Sequence, residues 1–168
     1  MLDGRYLMPY DKQGHSWSPD RDQRPPFKVI GRGRVKFGTE SSGGFRNITV
    51  ENIQLESCGG IFLETVDGGI LENVEINNIK IKGTNAPIFF RLGARMRSPE
   101  GTPVGALRNV RITNLTATDA DPRFPILLSG IPGHKIENVT LRNINIEFQG
   151  DLTPDDVQAP AAVPENAD

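Results

Sequence analysis

A pair of asparagines five residues apart, returning four times, limits this chain more than any other feature. The first Asn of each pair is Asn47, Asn73, Asn109 and Asn138; the second is Asn52, Asn78, Asn114 and Asn143. The same pattern surrounds each pair, from Phe45-Arg46-Asn47-Ile48-Thr49-Val50-Glu51-Asn52-Ile53-Gln54-Leu55 to Ile136-Glu137-Asn138-Val139-Thr140-Leu141-Arg142-Asn143-Ile144-Asn145-Ile146. Between the asparagines apolar and polar residues alternate, which predicts a strand with one face in a core and the other in solvent. Asn suits the end of such a strand because it tolerates left-handed dihedrals and can bond its own backbone. Copies stacked in register would align these eight side chains into ladders, so they are read as structural.

A second apolar run precedes each pair: Val35-Lys36-Phe37, Gly60-Ile61-Phe62-Leu63, Pro87-Ile88-Phe89-Phe90 and Phe124-Pro125-Ile126-Leu127-Leu128. Glycine follows these runs, at Gly38, Gly68 and Gly69, Gly93 and Gly130. One repeat therefore reads as strand, glycine-bearing loop, strand, Asn turn, strand. The spacings of 26, 36 and 29 residues are too unequal for a propeller or a leucine-rich repeat. A stacked parallel β-helix of about four coils absorbs such insertions, so the expected class is all-β. The longest insertion, residues 93–103, is polar, basic and turn-rich, as are loops that line a binding face.

Composition bounds the rest. Residues 1–26 show no periodicity but carry Tyr6, Tyr10 and Trp17, so they are expected to form an irregular N-terminal segment. Residues 27–150 hold the coils, and 151–168, rich in Asp, Pro, Ala and Glu, read as a flexible tail. A net charge of −2 argues against a nucleic-acid partner, and Lys28, Arg32, Arg34 and Lys36 read as a solvated basic edge. No apolar run spans a membrane, and the first residues carry no secretory signal pattern. Cys58 is alone, cannot form an internal disulfide and reads as a buried thiol. The two histidines, His15 and His134, have no ligand cluster around them, so neither a metal nor a cofactor is expected. Asp67, before Gly68-Gly69, reads as a turn acid, and Asp119, Asp121 and Arg123 as a polar turn. Stacked repeats expose strand edges at their ends, and neither end of this chain reads as a cap, so self-association is expected there.

The stretch from about residue 35 to 149 resembles the polygalacturonase-like glycoside hydrolases of the pectin lyase-like β-helix superfamily, especially bacterial members. The resemblance rests on Lys36-Phe37-Gly38-Thr39-Glu40-Ser41 followed by Gly43-Gly44-Phe45-Arg46-Asn47-Ile48, and on Leu63-Glu64-Thr65-Val66-Asp67-Gly68-Gly69. It continues in Ala86-Pro87-Ile88-Phe89-Phe90-Arg91-Leu92-Gly93 and Ser129-Gly130-Ile131-Pro132-Gly133-His134. It implies a right-handed, single-stranded parallel β-helix, export to the periplasm or beyond, and a pectin-type polysaccharide or oligosaccharide as partner. It also implies inverting hydrolysis without a metal. That reaction needs a protonated carboxyl and a water-activating carboxylate about 6.5–9.5 Å apart.

The family's catalytic Asn-x-Asp and Asp-Asp motifs lie upstream of the matching part, and the one Asp-Asp here is Asp155-Asp156, in the tail. The expectation is thus the C-terminal coils of a larger hydrolase, without catalytic residues to assign. Gly31-Arg32-Gly33-Arg34 stands where members carry Gly-His-Gly, and Gly60-Ile61-Phe62-Leu63-Glu64-Thr65 stands where many carry Arg-Ile-Lys. The second departure points to a divergent, exo-acting subgroup. Candidate substrate-binding residues are Arg91, Glu40, Glu64 and His134. Arg91 could fork onto a sugar carboxylate or form a structural ion pair. Glu40 and Glu64, read as comparable loop positions in adjacent coils, could contact substrate or an arginine. His134 reads as a turn residue with either a loop role or substrate contact. The competing class is a non-catalytic β-helix used for binding or structure.

Overall fold

The computed structural model describes residues 27–150 except 32 and 41. The expectations for residues 1–26, Arg32 and 151–168, including Asp155-Asp156, lie outside the described residues. Among those described, the regular structure is nine strands: β1 (Phe27–Ile30), β2 (Val35–Phe37), β3 (Phe45–Glu56), β4 (Ile61–Thr65), β5 (Ile70–Lys82), β6 (Ile88–Leu92), β7 (Ala106–Ala120), β8 (Leu127–Ser129) and β9 (Glu137–Phe148). The odd-numbered strands form one sheet in the order β1-β3-β5-β7-β9, and the even-numbered strands form the other, β2-β4-β6-β8. All pairings are parallel. The chain thus alternates between two sheets, an all-β arrangement consistent with a parallel β-helix. Among the described residues no helix is long and apolar enough to cross a membrane.

The long strands are extended chains that bend every five residues. Asn73 and Asn78 in β5 have φ of 57° and 55°, and the other six repeat asparagines lie between 50° and 60°. A left-handed residue in an extended chain resets the in–out alternation. In β5, Leu71, Val74, Ile76, Ile79 and Ile81 are buried, while Asn73 and Asn78 and the residue before each turn outward. Asn is the non-glycine residue that tolerates this geometry best; others lose about 1–2 kcal/mol. The asparagines therefore do not end the strands, as their turn chemistry suggested; the parallel ladder runs on past them. A third left-handed position follows Asn52, Asn78 and Asn114 by five residues, at Ser57, Gly83 and Asp119, and Gly31 is left-handed beside Ser57 on the neighbouring strand. Its residue types vary, which hides it in the sequence.

Register turns the repeat into columns. Ile48, Val74, Val110 and Val139 stack in one, and Ile53, Ile79, Leu115 and Ile144 in another. These side chains meet Phe37, Leu63 and Phe90 from the second sheet in one core. Outside, Asn73, Asn109 and Asn138 each donate Nδ2 to Oδ1 of the Asn on the previous strand, at 2.9, 3.0 and 2.8 Å. The second ladder joins Asn78 to Asn52 at 2.6 Å and Asn143 to Asn114 at 2.9 Å. Between them it slips, for Asn114 donates to Asn77 instead, at 2.9 Å, and Thr113 shares that acceptor.

β2 coincides with its apolar run, whereas β4, β6 and β8 begin later and run further than theirs suggest. Gly60 lies outside β4 because the chain crosses the next turn there: a Cβ would lie 2.1 Å from the Pro87 carbonyl oxygen. Pro87, without an N–H, is likewise outside its strand. Beyond Leu63 and Phe90 the strands continue through Glu64-Thr65 and Arg91-Leu92. The core thins at the last strands, where Val139, Leu141, Ile144 and Ile146 are only half-buried and Leu128 and Phe148 are 41% and 39% exposed.

Separating the two tasks of the asparagines is a direct test. Asn109→Ala loses both the tolerated dihedral and the ladder bonds, and should destabilise by about 2 kcal/mol. Asn109→Gly keeps the dihedral and should lose about 1 kcal/mol. Urea unfolding midpoints measure both, and equal losses would place the whole effect in the amide bonds.

Candidate functional site

Alternation along the short strands sends Ile61, Leu63, Ile88, Phe90 and Leu92 into the shared core. Phe62, Glu64, Phe89 and Arg91 consequently occupy the opposite face. That face is divided along the strands. Its first half is apolar: the Phe62 and Phe89 rings lie 5.2 Å apart and pack with Ala86, Phe124 and Leu127. The Arg34 guanidinium sits 4.6 Å above the Phe62 ring, a cation–π contact. Its second half is charged, with Glu64 directly beside Arg91 and Arg91 beside Ser129.

Glu64 is held from two sides. Lys36 Nζ lies 2.9 Å from Oε1, and the Thr39 hydroxyl donates to Oε2 at 3.2 Å. Gly38 makes the approach possible: its φ is 95°, and a Cβ would lie 2.2 Å from the Glu64 carbonyl oxygen. Glu64 and Arg91 are 0% and 4% exposed. A buried charge is tolerated when paired and hydrogen-bonded, and Lys36 and Thr39 do this for Glu64.

The connection between β6 and β7 folds back over the turn after β4. Gly93 and Met96 donate their amides to the Thr65 and Val66 carbonyls at 3.0 and 3.1 Å. Arg95 then clamps Asp67, with Nε on Oδ1 at 3.0 Å and Nη2 on Oδ2. The Arg97 amide donates to the same Oδ1 at 3.0 Å, and the Ser98 hydroxyl donates to the Asp67 carbonyl. The Arg95 guanidinium holds the Asp67 carboxyl below its usual range; burial pushes the other way and loses, and the Arg97 amide adds to the lowering. With both oxygens engaged, Asp67 is an anchor and not a proton donor. Glu40, its side chain 73% exposed, reaches Arg97 Nη1 at 3.4 Å and Arg95 Nη2 at 3.7 Å. The Arg97 side chain is 64% exposed. Three connections, after β2, β4 and β6, thus meet in one charged rim.

The sequence candidates divide accordingly. Glu64 and Arg91 are neighbours in the sheet, whereas Glu40 belongs to the rim with Asp67, Arg95 and Arg97. Glu40 and Glu64 are not comparable loop positions: Glu64 pairs with Arg91 inside β4, whereas Glu40 lies beyond the end of β2. The error came from taking charge as the end of a strand, when this strand buries both faces. His134 stands apart, exposed in a tight turn where its amide donates to the Ile131 carbonyl at 2.9 Å. Among the described residues no hydrogen bond or ion pair joins His134 to Glu40, Glu64 or Arg91. Arg95 and Arg97 were missed individually; their signal was the basic insertion that contains them.

The described members of the basic edge are divided between the sheets: Lys28, exposed, pairs with Glu56 at 2.7 Å beside one, while Arg34, also exposed, and Lys36 serve the other. Asp121 takes the Arg123 amide at 3.0 Å and its guanidinium at 2.6 Å, and that guanidinium lowers the Asp121 pKa. Cys58 is buried, its Sγ 3.0 Å from the Glu56 carbonyl oxygen. Among the described residues no group of three or more His, Cys, Asp or Glu side chains could hold a metal ion. Comparison of the chain with protein-family models, with curated proteins and with solved structures finds no match in any of the three.

Asp67→Asn weakens the clamp while keeping its shape. At neutral pH it should cost on the order of 2 kcal/mol, as for a hydrogen bond to a charged group. A carboxyl whose folded pKa is depressed contributes stability above its ordinary value of 3.8, and that stability is lost as pH falls through the lower folded value. The difference between wild type and variant should therefore shrink below that pH in urea unfolding. A difference that widens on acidification contradicts Arg95 as the cause.

Proposed function

We propose that the described residues are coils of a right-handed parallel β-helix that binds pectin-type polysaccharide, as part of a polygalacturonase-like glycoside hydrolase. The observation that carries this reading is Arg97. Its amide is pinned to Asp67 while its guanidinium stands in solvent beside Glu40, at the rim where three connections converge. A planar, permanently charged fork held on an anchored backbone suits a uronate carboxylate, and the neighbouring Glu40 can accept bonds from sugar hydroxyls. Two sheets of parallel strands joined without helices support the β-helix, and the repeat spacing supports stacked coils. The motif resemblance supports galacturonan or rhamnogalacturonan as the polymer, export from the cytoplasm, and catalytic aspartates on coils upstream of those described.

A second reading has its own observation. Glu64 and Arg91 are closed to solvent, which fits an internal ion pair of a non-catalytic β-helix that binds or merely supports. Substrate contact then falls to Glu40 and Arg97 alone, or to neither.

Calorimetric titration with galacturonate and rhamnogalacturonan oligomers separates the readings. Binding should weaken by about tenfold in Arg97→Ala, and nearly as much in Arg97→Lys, because lysine lacks the bidentate fork. No binding by protein shown to be folded, or binding indifferent to Arg97, overturns the proposal. The same samples should release no reducing sugar. Release that depends on Glu40 or Glu64 would move catalysis into these coils.

A further inference from the structure

We propose that the chain stacks head to tail on a second copy of itself, with residues 137–143 of β9 in one copy running parallel to residues 46–52 of β3 in the next. Both edges are open among the described strands. β9 pairs only with β7, and β1 covers only residues 53–56 of β3. Three independent features of these edges are complementary in this direction alone.

The amide ladders are polar. In the first, every bond runs from Nδ2 of the later Asn to Oδ1 of the earlier one. β9 therefore presents the Oδ1 atoms of Asn138 and Asn143, and β3 presents the Nδ2 groups of Asn47 and Asn52, acceptor to donor.

The charges continue in phase. Arg46, Glu72, Arg108 and Glu137 occupy one column with alternating sign, and contacts of 3.2 Å and 2.7 Å join the first three. The next copy would set Arg46 against Glu137. In the column Glu51, Asn77, Thr113 and Arg142, the end charges are opposite, and stacking brings Arg142 onto Glu51.

The apolar rows also continue. Val139 would fall on Ile48 and Leu141 on Val50, covering side chains that are half-buried in β9 although their neighbours Val110 and Ile112 in β7 are fully buried. A two-fold contact between β9 edges would instead set Asn oxygen against Asn oxygen.

The contact stops at Asn52, because β1 holds the edge beyond it and the end of β9 must turn aside. A short junction of this kind gives weak association. Being heterologous, it also repeats, so the product is an open series of oligomers and not a closed dimer. The inference uses none of the carbohydrate observations, and it competes with the upstream coils of that reading, which would stack on the same edge of β3.

Sedimentation velocity of the full chain should show mass rising with concentration. Glu51→Arg and Arg142→Glu each place like charges together, and each should weaken association about tenfold. The double variant swaps the pair and should restore it to within about twofold. Both residues are exposed and form no ion pair among the described residues, so the fold is left intact. Thiol cross-linking gives a second measurement. Thr49 and Thr140 share a column but lie three strand spacings apart within one molecule, roughly 14 Å. Mixing Thr49→Cys with Thr140→Cys should give a cross-linked pair that neither gives alone. A monomer at every concentration overturns the proposal. So does failure of the double variant to recover, or self-cross-linking of Thr140→Cys.

Discussion

A left-handed residue every five positions in an otherwise extended chain is the constraint on which the rest of this structure depends. Each such residue bends the strand and turns itself and the residue before it outward, so the apolar residues on either side can both face the core. Without the bend, simple alternation would carry half of the apolar pattern to solvent, since one residue of slip reverses every side chain. Asn meets the requirement twice over. Its side chain tolerates the dihedral, and its amide both donates and accepts along the stack, as Asn73 does between Asn47 and Asn109.

The short sheet answers a different requirement. Its central strands, β4 and β6, are buried on both faces, as is usual for parallel sheets. One face completes the common core; the other carries a phenylalanine row and, further along, Glu64 and Arg91 as neighbours across β4 and β6. The charged half is tolerable because neighbours supply partners: Lys36 and Thr39 for Glu64, and the folded-back insertion for Asp67. The rim of Glu40 and Arg97 is a by-product of that closure. The insertion that seals Asp67 leaves its own outer guanidinium in solvent, and the proposed polysaccharide contact rests there.

Much of the fold was legible because its signals are local. The Asn pairs, the alternation between them and the second apolar run each depend on residues adjacent in the chain. The stack direction was legible too, since unequal spacings suit repeats joined by loops of any length. What escaped were features requiring a neighbour from another strand. The slip from Asn78 to Asn77 depends on where Thr113 and Asn114 arrive after the longest insertion. The strand character of Glu64 depends on its pairing with Arg91. The clamp on Asp67 joins residues 28 positions apart, and nothing beside Asp67 announces Arg95.

By itself the sequence determined the period, the residues that could turn left-handed and the choice between a core face and an outer one. Those follow from side-chain size, polarity and allowed dihedrals, which belong to each residue and its immediate neighbours. Only the tertiary structure decided which charges meet, which of them are sealed and which remain in solvent. Ion pairing and burial depend on distances across strands, and those distances are set by the register of the stack and the path of the loops. Glu40, Glu64 and Asp67 look alike in the chain; one stands in water, one is enclosed by a lysine and a threonine, and one is locked by an arginine, because the strands and the insertion bring them different neighbours.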